Sequence, residues 1–292
     1  MVTEKKRIFK IKEDGFYGEL FESEKQLFPN KIIITCAGES SYEVSKKCAQ
    51  ELTEYGINVL VLSVYCIPDG PTMFSQIPIE YIKNATIYLN SIGYDKVGVW
   101  GISMNSIYCL LAACYYPELI SLAIAASCNY FVVPGMDKKK HKVMNESAFT
   151  FEGKDIPYEP YTVEMGKFKN FWELIKHQEP NYSYLYEPLM GKVQEEHIIP
   201  VEKMKARVVV FSGKLDTMWP SYRSGQYLIQ RLKEKNYSYP YEHIVCEYGG
   251  HLMFPLPTKF DKFMKVNRRY PKEAEQYRKE HLDKLLEIFN TW

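Results

Sequence analysis

The sequence predicts an α/β fold with a mostly parallel central sheet and helices on both of its faces. Short, continuous apolar runs such as residues 31–35 and 58–64 are typical of strands that are buried on both faces. Segments of helical periodicity separate these runs, and glycines such as Gly56 and Gly93 mark where two of the helices end. Strands that alternate with helices in this way usually form a parallel sheet with right-handed connections.

The chain begins with an element of a different kind. Alternation of apolar and polar residues on both sides of Asp14-Gly15 predicts a β-hairpin at about residues 6–25. The strands expected after it span residues 31–35, 58–64, 96–100, 119–126, 206–211 and 241–246. The helices expected between and after them span residues 42–55, 78–92, 104–116, 221–235 and 272–289.

Between residues 129 and 205 the regular alternation stops. This stretch combines a Pro- and Tyr-rich run at 156–161 with one segment of helical character at 168–177. Long irregular segments in compact proteins are usually functional. We therefore expect a lid-like insertion over the sheet, within a single domain that spans residues 1–292.

Composition excludes several classes of function. The net charge of +1 gives no global field that would recruit nucleic acid. The seven Cys show no Cys-x-x-Cys pair or Cys/His cluster, so we expect neither a metal nor another cofactor. No apolar run approaches the roughly 18 residues of a membrane span, and the first residues lack the apolar core of a signal peptide. A reduced, cytoplasmic protein is the simplest expectation.

The most informative stretch is residues 97–106, VGVWGISMNS. An apolar strand ends at Gly101, passes through Ser103 and continues directly as a helix. This is the pattern of a nucleophile elbow, in which small residues flank a serine on a strained turn. The usual motif is G-x-S-x-G, and Asn105 stands here at the last position.

Two further residues occupy equivalent places in the chain. Asp216 and His251 each follow a predicted parallel strand, in loops that are rich in small residues. The carboxyl ends of parallel strands form the ligand crevice of such sheets. The order of Ser103, Asp216 and His251 along the chain is the one expected for an α/β-hydrolase.

These three residue types suit acyl transfer. A serine hydroxyl becomes nucleophilic when a neutral imidazole accepts its proton, and a carboxylate orients that imidazole. A developing oxyanion also needs two donors. The backbone N–H of Met104 is one candidate, and the second is expected from Gly38 or Glu39, in the loop after the strand at 31–35.

Each residue also has a simpler interpretation. A G-x-S sequence can be an ordinary turn, Asp216 could be a helix cap, and His251 could be a core histidine before Leu252. The lysine-rich run at 138–142 could bind phosphate groups, although a solvated loop is the commoner reason for such a run. The presence of all three residues in this order favours a catalytic triad over three unrelated structural roles.

Several stretches together resemble the α/β-hydrolase domain shared by acyl-CoA thioester hydrolases and bile-acid-CoA:amino-acid N-acyltransferases. The matching segments are IPIEY at 77–81, GIS at 101–103, FEGKDIPY at 151–158, IPVE at 199–202, SG at 212–213 with Asp216 and WPS at 219–221, and GGH at 249–251. The resemblance implies a Ser103–His251–Asp216 triad and hydrolysis of a thioester or ester. In the transferases of this family the nucleophile is a cysteine, so in having Ser103 the chain resembles the hydrolases of the family.

The sequence thus predicts a serine hydrolase whose partner is a small-molecule acyl ester or thioester, cleaved through an acyl-serine intermediate. Two alternatives remain at this point. One is a carboxylesterase, lactone hydrolase or peptidase that uses the same three residues. The other is a non-catalytic binding protein on a hydrolase scaffold, for which Asn105 is the one feature in favour.

Overall fold

The computed structural model describes residues 7–38 and 41–292. The strands are β1 (Ile8–Phe9), β2 (Gly18–Phe21), β3 (Lys31–Ala37), β4 (Asn58–Ser63), β5 (Ile77–Pro78), β6 (Lys96–Ile102), β7 (Leu122–Ala126), β8 (Pro134–Asp137), β9 (Lys142–Ser147), β10 (Phe149–Phe151), β11 (Lys154–Asp155), β12 (Arg207–Gly213) and β13 (Tyr241–Cys246). The helices are α1 (Ile11–Asp14), α2 (Tyr42–Thr53), α3 (Glu80–Ser91), α4 (Met104–Tyr115), α5 (Lys167–His177), α6 (Ser183–Tyr186), α7 (Ser221–Glu234), α8 (Lys265–Arg269) and α9 (Pro271–Thr291).

Eight strands form the central sheet in the order β1-β2-β4-β3-β6-β7-β12-β13. The six strands from β4 to β13 in that order pair in parallel, while β1 and β2 add an antiparallel edge. The carboxyl ends of β6, β12 and β13 therefore lie at the same edge of the sheet. Any functional residues that follow these strands must meet there.

Apolar side chains cover both faces of this sheet. Successive residues of β3 alternate, so that Ile32 and Ile34 pack in one cluster of buried side chains and Ile33 in the other. Every residue of β4 is buried, as expected for a strand covered by helices on both sides. The continuous apolar runs in the sequence therefore have a direct structural cause.

The N-terminal hairpin contains a helical turn that the sequence pattern did not reveal. Strands β1 and β2 pair antiparallel, but the four residues of α1 lie between them. Asp14 accepts a hydrogen bond from the Lys10 N–H (2.8 Å), and Gly15, at φ +77°, ends the turn in the left-handed region. Four residues are too few to show a helical period.

One predicted boundary was wrong and one helix was missed, each for an identifiable reason. The helix expected from residue 78 begins at Glu80, because Ile77 and Pro78 pair in parallel with β10. Helix α8 was not predicted, since its five residues carry no apolar period. Long-range pairing and short length override local pattern in these places.

The segment at 129–205 contains strands β8 to β11, helices α5 and α6, and short 3₁₀ turns. It contributes large buried side chains to the core, among them Phe131, Phe149 and Tyr186. The Tyr186 ring lies 5.0 Å from the Trp219 ring at the edge of the sheet where β12 ends. The segment is therefore packed on the body of the protein, and its role as a lid stays a prediction.

His281 is buried in α9, and its ring stacks on Phe211 of β12 at 3.9 Å. Its Nδ1 lies 2.7 Å from the Tyr277 hydroxyl, and among the described residues no group hydrogen-bonds its Nε2. Burial lowers the pKa of His281 from 6.5 to about 3, because the charged form is poorly solvated there.

This burial predicts acid sensitivity of the fold. The unfolded chain binds a proton at His281 near pH 6.5 and the folded chain only near pH 3, so stability falls as the pH drops between those values. From pH 7 to pH 5 the loss attributable to this group is about 2 kcal/mol. Urea unfolding at both pH values should show that His281→Gln removes this part of the loss. His177→Gln, in α5, is the control, and equal losses in the His281 variant and the wild type would contradict the prediction.

Candidate active site

Ser103 lies on a strained turn between β6 and α4. Its φ of +62° with ψ of −133° is a conformation that residues with side chains rarely adopt. The Ser103 N–H donates to the Ala126 carbonyl (3.0 Å), which ties the turn to β7. A Cβ at Gly101 would lie 2.3 Å from the Asn105 carbonyl oxygen, so only glycine allows strand and helix to approach this closely.

Asn105 takes the place of the usual glycine without distorting the turn. It is the second residue of α4, where the helical backbone needs no left-handed φ. The residue borders the cavity beside Ser103, and its buried Oδ1 accepts no hydrogen bond from the described residues. The structure thus accommodates the larger side chain while Ser103 keeps the strained conformation of the elbow.

The structure brings Ser103, His251 and Asp216 together. Ser103 Oγ lies 2.7 Å from His251 Nε2, and His251 Nδ1 lies 2.9 Å from Asp216 Oδ2 and 3.1 Å from Oδ1. An ionised carboxylate only accepts hydrogen bonds, so Nδ1 carries the proton and Nε2 accepts from the serine. The side chains of His251 and Asp216 are only 2% and 1% exposed.

Three residues that the sequence analysis did not assign hold Asp216 in place. The Ser221 hydroxyl donates to Oδ2 (2.5 Å), and the Met218 and Trp219 N–H groups donate to Oδ1 (2.9 and 3.4 Å). An aspartate whose carboxylate bonds backbone N–H groups two and three residues later forms an Asx-type turn. The position of Asp216 shortly before the helix at 221–235 was the available signal.

The Trp219 indole also supports the imidazole. Its ring stands edge-on to His251, with centroids 4.6 Å apart and planes at 89°. The indole N–H donates to the Ser127 carbonyl (3.0 Å), which anchors it to the end of β7. The ring therefore fills the space beside His251 and restricts its orientation.

The loops that carry Asp216 and His251 touch each other directly. The Leu215 N–H donates to the Gly249 carbonyl (3.0 Å). A Cβ at Gly213 would lie 2.2 Å from the same Gly249 oxygen, so glycine is required at this crossing. The positions of Asp216 and His251 relative to each other therefore depend on this contact between the two loop backbones.

A cavity of about 450 Å³ opens beside Ser103. It is lined by Thr35, Cys36, Ser41, Ser45, Tyr65, Phe74, Ile102, Ser103, Met104, Asn105, Lys138, Pro180, Met218, His251, Leu252, Phe254, Phe260, Phe263 and Met264. The stretch at 129–205 is rich in aromatic residues, which can either line an apolar pocket or pack in the core. That stretch contributes only Lys138 and Pro180 to the lining, and the segment 252–264 contributes five apolar residues, more than any other segment.

The three predicted oxyanion donors differ in whether their backbone N–H is already hydrogen-bonded and in whether the structure describes them. Met104 is the first residue of α4, so its N–H has no partner within the helix, and the residue lines the cavity. The Gly38 N–H instead donates to Ser41 Oγ (3.1 Å), so it is not free in this structure. Glu39 lies outside the described residues.

The buried thiols near the site are not nucleophiles. Burial raises the pKa of the Cys36 thiol well above its usual value, and the nearby Cys109 contributes in the same direction. Burial likewise raises the pKa of Cys128 to about 12. A protonated thiol is unreactive. Within residues 7–38 and 41–292, no group of three or more His, Cys, Asp or Glu is arranged to hold a metal ion.

The three residues of this site lie within the part of the chain that matches a known protein family. The model of the family described as "BAAT / Acyl-CoA thioester hydrolase C terminal" matches residues 77–269, more than half of the chain. Among curated protein sequences, none matches this chain. Across the described residues, every helix is too short or too polar to cross a bilayer.

Solved structures show the same architecture. A Klebsiella pneumoniae protein assigned as a dienelactone hydrolase has a TM-score of 0.58 at 13% identity, over 98% of each chain. The α/β-hydrolase GrgF from Penicillium sp. sh18 has a TM-score of 0.50 at 14% identity, over 92% of this chain and 94% of its own. A puromycin-hydrolysing peptidase from Mycobacterium tuberculosis has a TM-score of 0.51 at 12% identity, over 93% of this chain and 38% of its own. The predicted α/β-hydrolase fold is confirmed.

The contact at Gly101 predicts a sharp difference between two glycines. Gly101→Ala should destabilise the fold by about 1–3 kcal/mol, because the new methyl group would overlap backbone atoms of α4. Gly166→Ala is the matched control, since no atom lies within 4 Å of a Cβ there. Urea unfolding of both variants measures the effect. Equal stabilities would mean that the turn relaxes without cost.

Proposed function

The chain belongs to the BAAT / acyl-CoA thioester hydrolase C-terminal family, and we propose that it is a serine hydrolase that cleaves an acyl thioester through an acyl-Ser103 intermediate. One observation carries the proposal. Ser103 Oγ is within hydrogen-bond distance of His251 Nε2 (2.7 Å) at the wall of an apolar cavity. The buried Asp216 on the far side of the imidazole supports the same assignment.

The reaction follows from these contacts. As Ser103 Oγ attacks the acyl carbon, its proton passes to His251 Nε2, and Asp216 stabilises the resulting imidazolium. The tetrahedral intermediate then collapses, the bond from carbon to sulfur or oxygen breaks, and His251 gives its proton to the leaving group. A water molecule, deprotonated by His251, attacks the acyl-serine and releases the carboxylic acid, which restores Ser103.

The oxyanion of the tetrahedral intermediate needs hydrogen-bond donors beside Ser103. We assign the Met104 N–H as the first, since it heads α4 and adds the positive end of the helix dipole. The second donor stays a prediction for the loop after β3. If it is Gly38, its N–H has to exchange Ser41 Oγ for the substrate.

The position of Lys138 favours a substrate whose leaving group carries negative charge. Its ammonium donates to the Tyr65 hydroxyl (2.7 Å) and stands over the Tyr65 and Phe74 rings, at the lining of the cavity. A second cavity of about 240 Å³ shares these three residues and is also lined by Lys139, Lys140 and Asp137, which pairs with Lys140 at 3.5 Å. The phosphate groups of coenzyme A fit such an arrangement of cations, whereas a simple ester has no charge to use it.

The first test compares acyl-CoA thioesters with p-nitrophenyl esters of the same acyl groups. We expect the wild type to prefer the thioesters, and Ser103→Ala to lose at least about a thousandfold in kcat for both classes. A fluorophosphonate probe should label the wild type and not the variant. Equal or better ester turnover would retain the triad and replace the thioesterase by a general esterase. No labelling and no turnover in folded wild type would favour a non-catalytic binding protein.

The second test addresses the leaving group. Lys138→Met keeps the aliphatic stem over the two rings and removes the charge. We expect kcat/KM for acyl-CoA to fall by about ten- to a hundredfold, since a charged hydrogen bond is worth roughly 1.5–3 kcal/mol, while p-nitrophenyl ester turnover is unchanged. Lys142→Met is the matched control, an exposed lysine of the same run in β9. An equal loss on both substrates would point to a packing role for Lys138.

A further inference from the structure

Helix α5 is oriented with its apolar side toward solvent. Phe168, Phe171, Trp172 and Ile175 follow one another at the i, i+3, i+4, i+7 spacing of a single helix face. Their side chains are 75%, 56%, 53% and 51% exposed. We call these four residues the apolar stripe of α5. A surface helix of a soluble protein normally turns such a stripe toward the core.

The opposite side of α5 is polar and holds the helix on the protein. The Asn170 amide donates to His141 Nδ1 (2.9 Å) and accepts from the Tyr184 hydroxyl (2.6 Å). The Lys169 ammonium lies over the Tyr184 ring at 4.1 Å, and Glu173 pairs with His177 on the same half-buried side. The exposed stripe is therefore fixed by specific contacts that orient the helix.

The C-terminal end of α5 is bonded to the segment that borders the cavity beside Ser103. The Arg268 guanidinium donates to the Gln178 carbonyl at the end of α5 (2.7 Å) and to the Lys262 carbonyl (2.8 Å). Glu179 accepts from the Lys265 N–H (2.6 Å). Phe263 is 54% exposed and also lines the cavity. Helix α5 and the segment 259–269 thus form one connected surface, which we call the rim surface.

Charge is concentrated on this rim surface. Residues 167–177 and 259–269 contain eight Lys and Arg against two acids, a net charge of +6 in a chain whose total is +1. The two acids are already engaged, Glu173 with His177 and Asp261 with Arg278. Among the described residues, none of the eight cations forms an ion pair. Lys169, over the Tyr184 ring, and Arg268, bonded to two backbone carbonyls, hold the two segments on the protein, and the other six cations make the surface both apolar and cationic.

We propose that the rim surface docks on an anionic lipid surface. Exposed Trp and Phe side chains on a helix enter the boundary between headgroups and acyl chains, and Lys and Arg beside them bind anionic headgroups. A second copy of this chain fits less well. A symmetric dimer through this face would place one +6 surface against another and repel itself. The proposal concerns binding alone and goes beyond the proposed reaction.

Such docking has a clear geometric result. Phe263 belongs both to the rim surface and to the cavity wall, so the cavity mouth would lie next to the lipid. An acyl substrate dissolved in the bilayer could then reach Ser103 without crossing bulk water.

The test is flotation of the full chain with vesicles of phosphatidylcholine alone or with about 30% phosphatidylserine. We expect binding to the anionic vesicles only, a blue shift of Trp172 emission, and release at 0.5 M salt as charges are screened. Phe171→Ser with Trp172→Ser should weaken binding at least about tenfold. Lys262→Gln with Lys265→Gln should weaken it by about fivefold for each charge. Leu27→Ser with Ile87→Ser, exposed to similar extents elsewhere, is the matched control and should bind as the wild type does.

Three results would overturn the proposal: no flotation of folded wild type, equal flotation with both vesicle types, or full binding by the Phe171/Trp172 double variant. Light scattering could instead show that the wild type is a dimer that binds no vesicles, and that the Phe171/Trp172 double variant is a monomer. That result would mean that the apolar stripe of α5 binds a second copy of the chain. Ser103→Ala should bind vesicles as well as the wild type. Failure of docking and failure of catalysis are thereby distinguished.

Discussion

Parallel pairing of the central strands is the constraint on which the site depends. Because β6, β12 and β13 run in the same direction, the residues that follow them emerge at one edge of the sheet. Ser103 and His251, which are 148 residues apart in sequence, meet there at 2.7 Å. The register is secured by apolar side chains on both faces, since a one-residue slip would turn every core side chain of a strand to the wrong face.

The burial of the Asp216 carboxylate is a second constraint on the site. A charge with 1% exposure is stable in the protein only if hydrogen bonds replace its water. The Ser221 hydroxyl, two backbone N–H groups and the imidazole supply them. The same contacts that solvate the charge leave it one direction in which to attract His251, and this sets the tautomer that Ser103 needs.

Sequence reasoning could place Ser103, Asp216 and His251 because each stands at the end of an apolar strand, and strand ends are visible in local pattern. It could not find the cavity wall at 252–264, since Phe254, Phe260 and Phe263 lie in an irregular segment whose path depends on long-range packing. Nor could it predict that the Gly38 N–H donates to Ser41 Oγ, which depends on the path of the loop and the rotamer of one serine. The apolar period of α5 was readable, but periodicity says only that a helix has two sides. In the structure the side that faces the protein carries Asn170, which bonds His141 and Tyr184.

The direct crossing of the two loops at Gly213 and Gly249 also bears on how the site moves. Leu215 and Gly249 share a backbone hydrogen bond, so we expect the acid loop and the imidazole loop to move together. Within the part of the chain that the structure describes, no such bond joins His251 to the elbow, where the contact is the side-chain hydrogen bond between Ser103 and His251. That is the hydrogen bond that the proposed reaction must break when the serine takes up an acyl group.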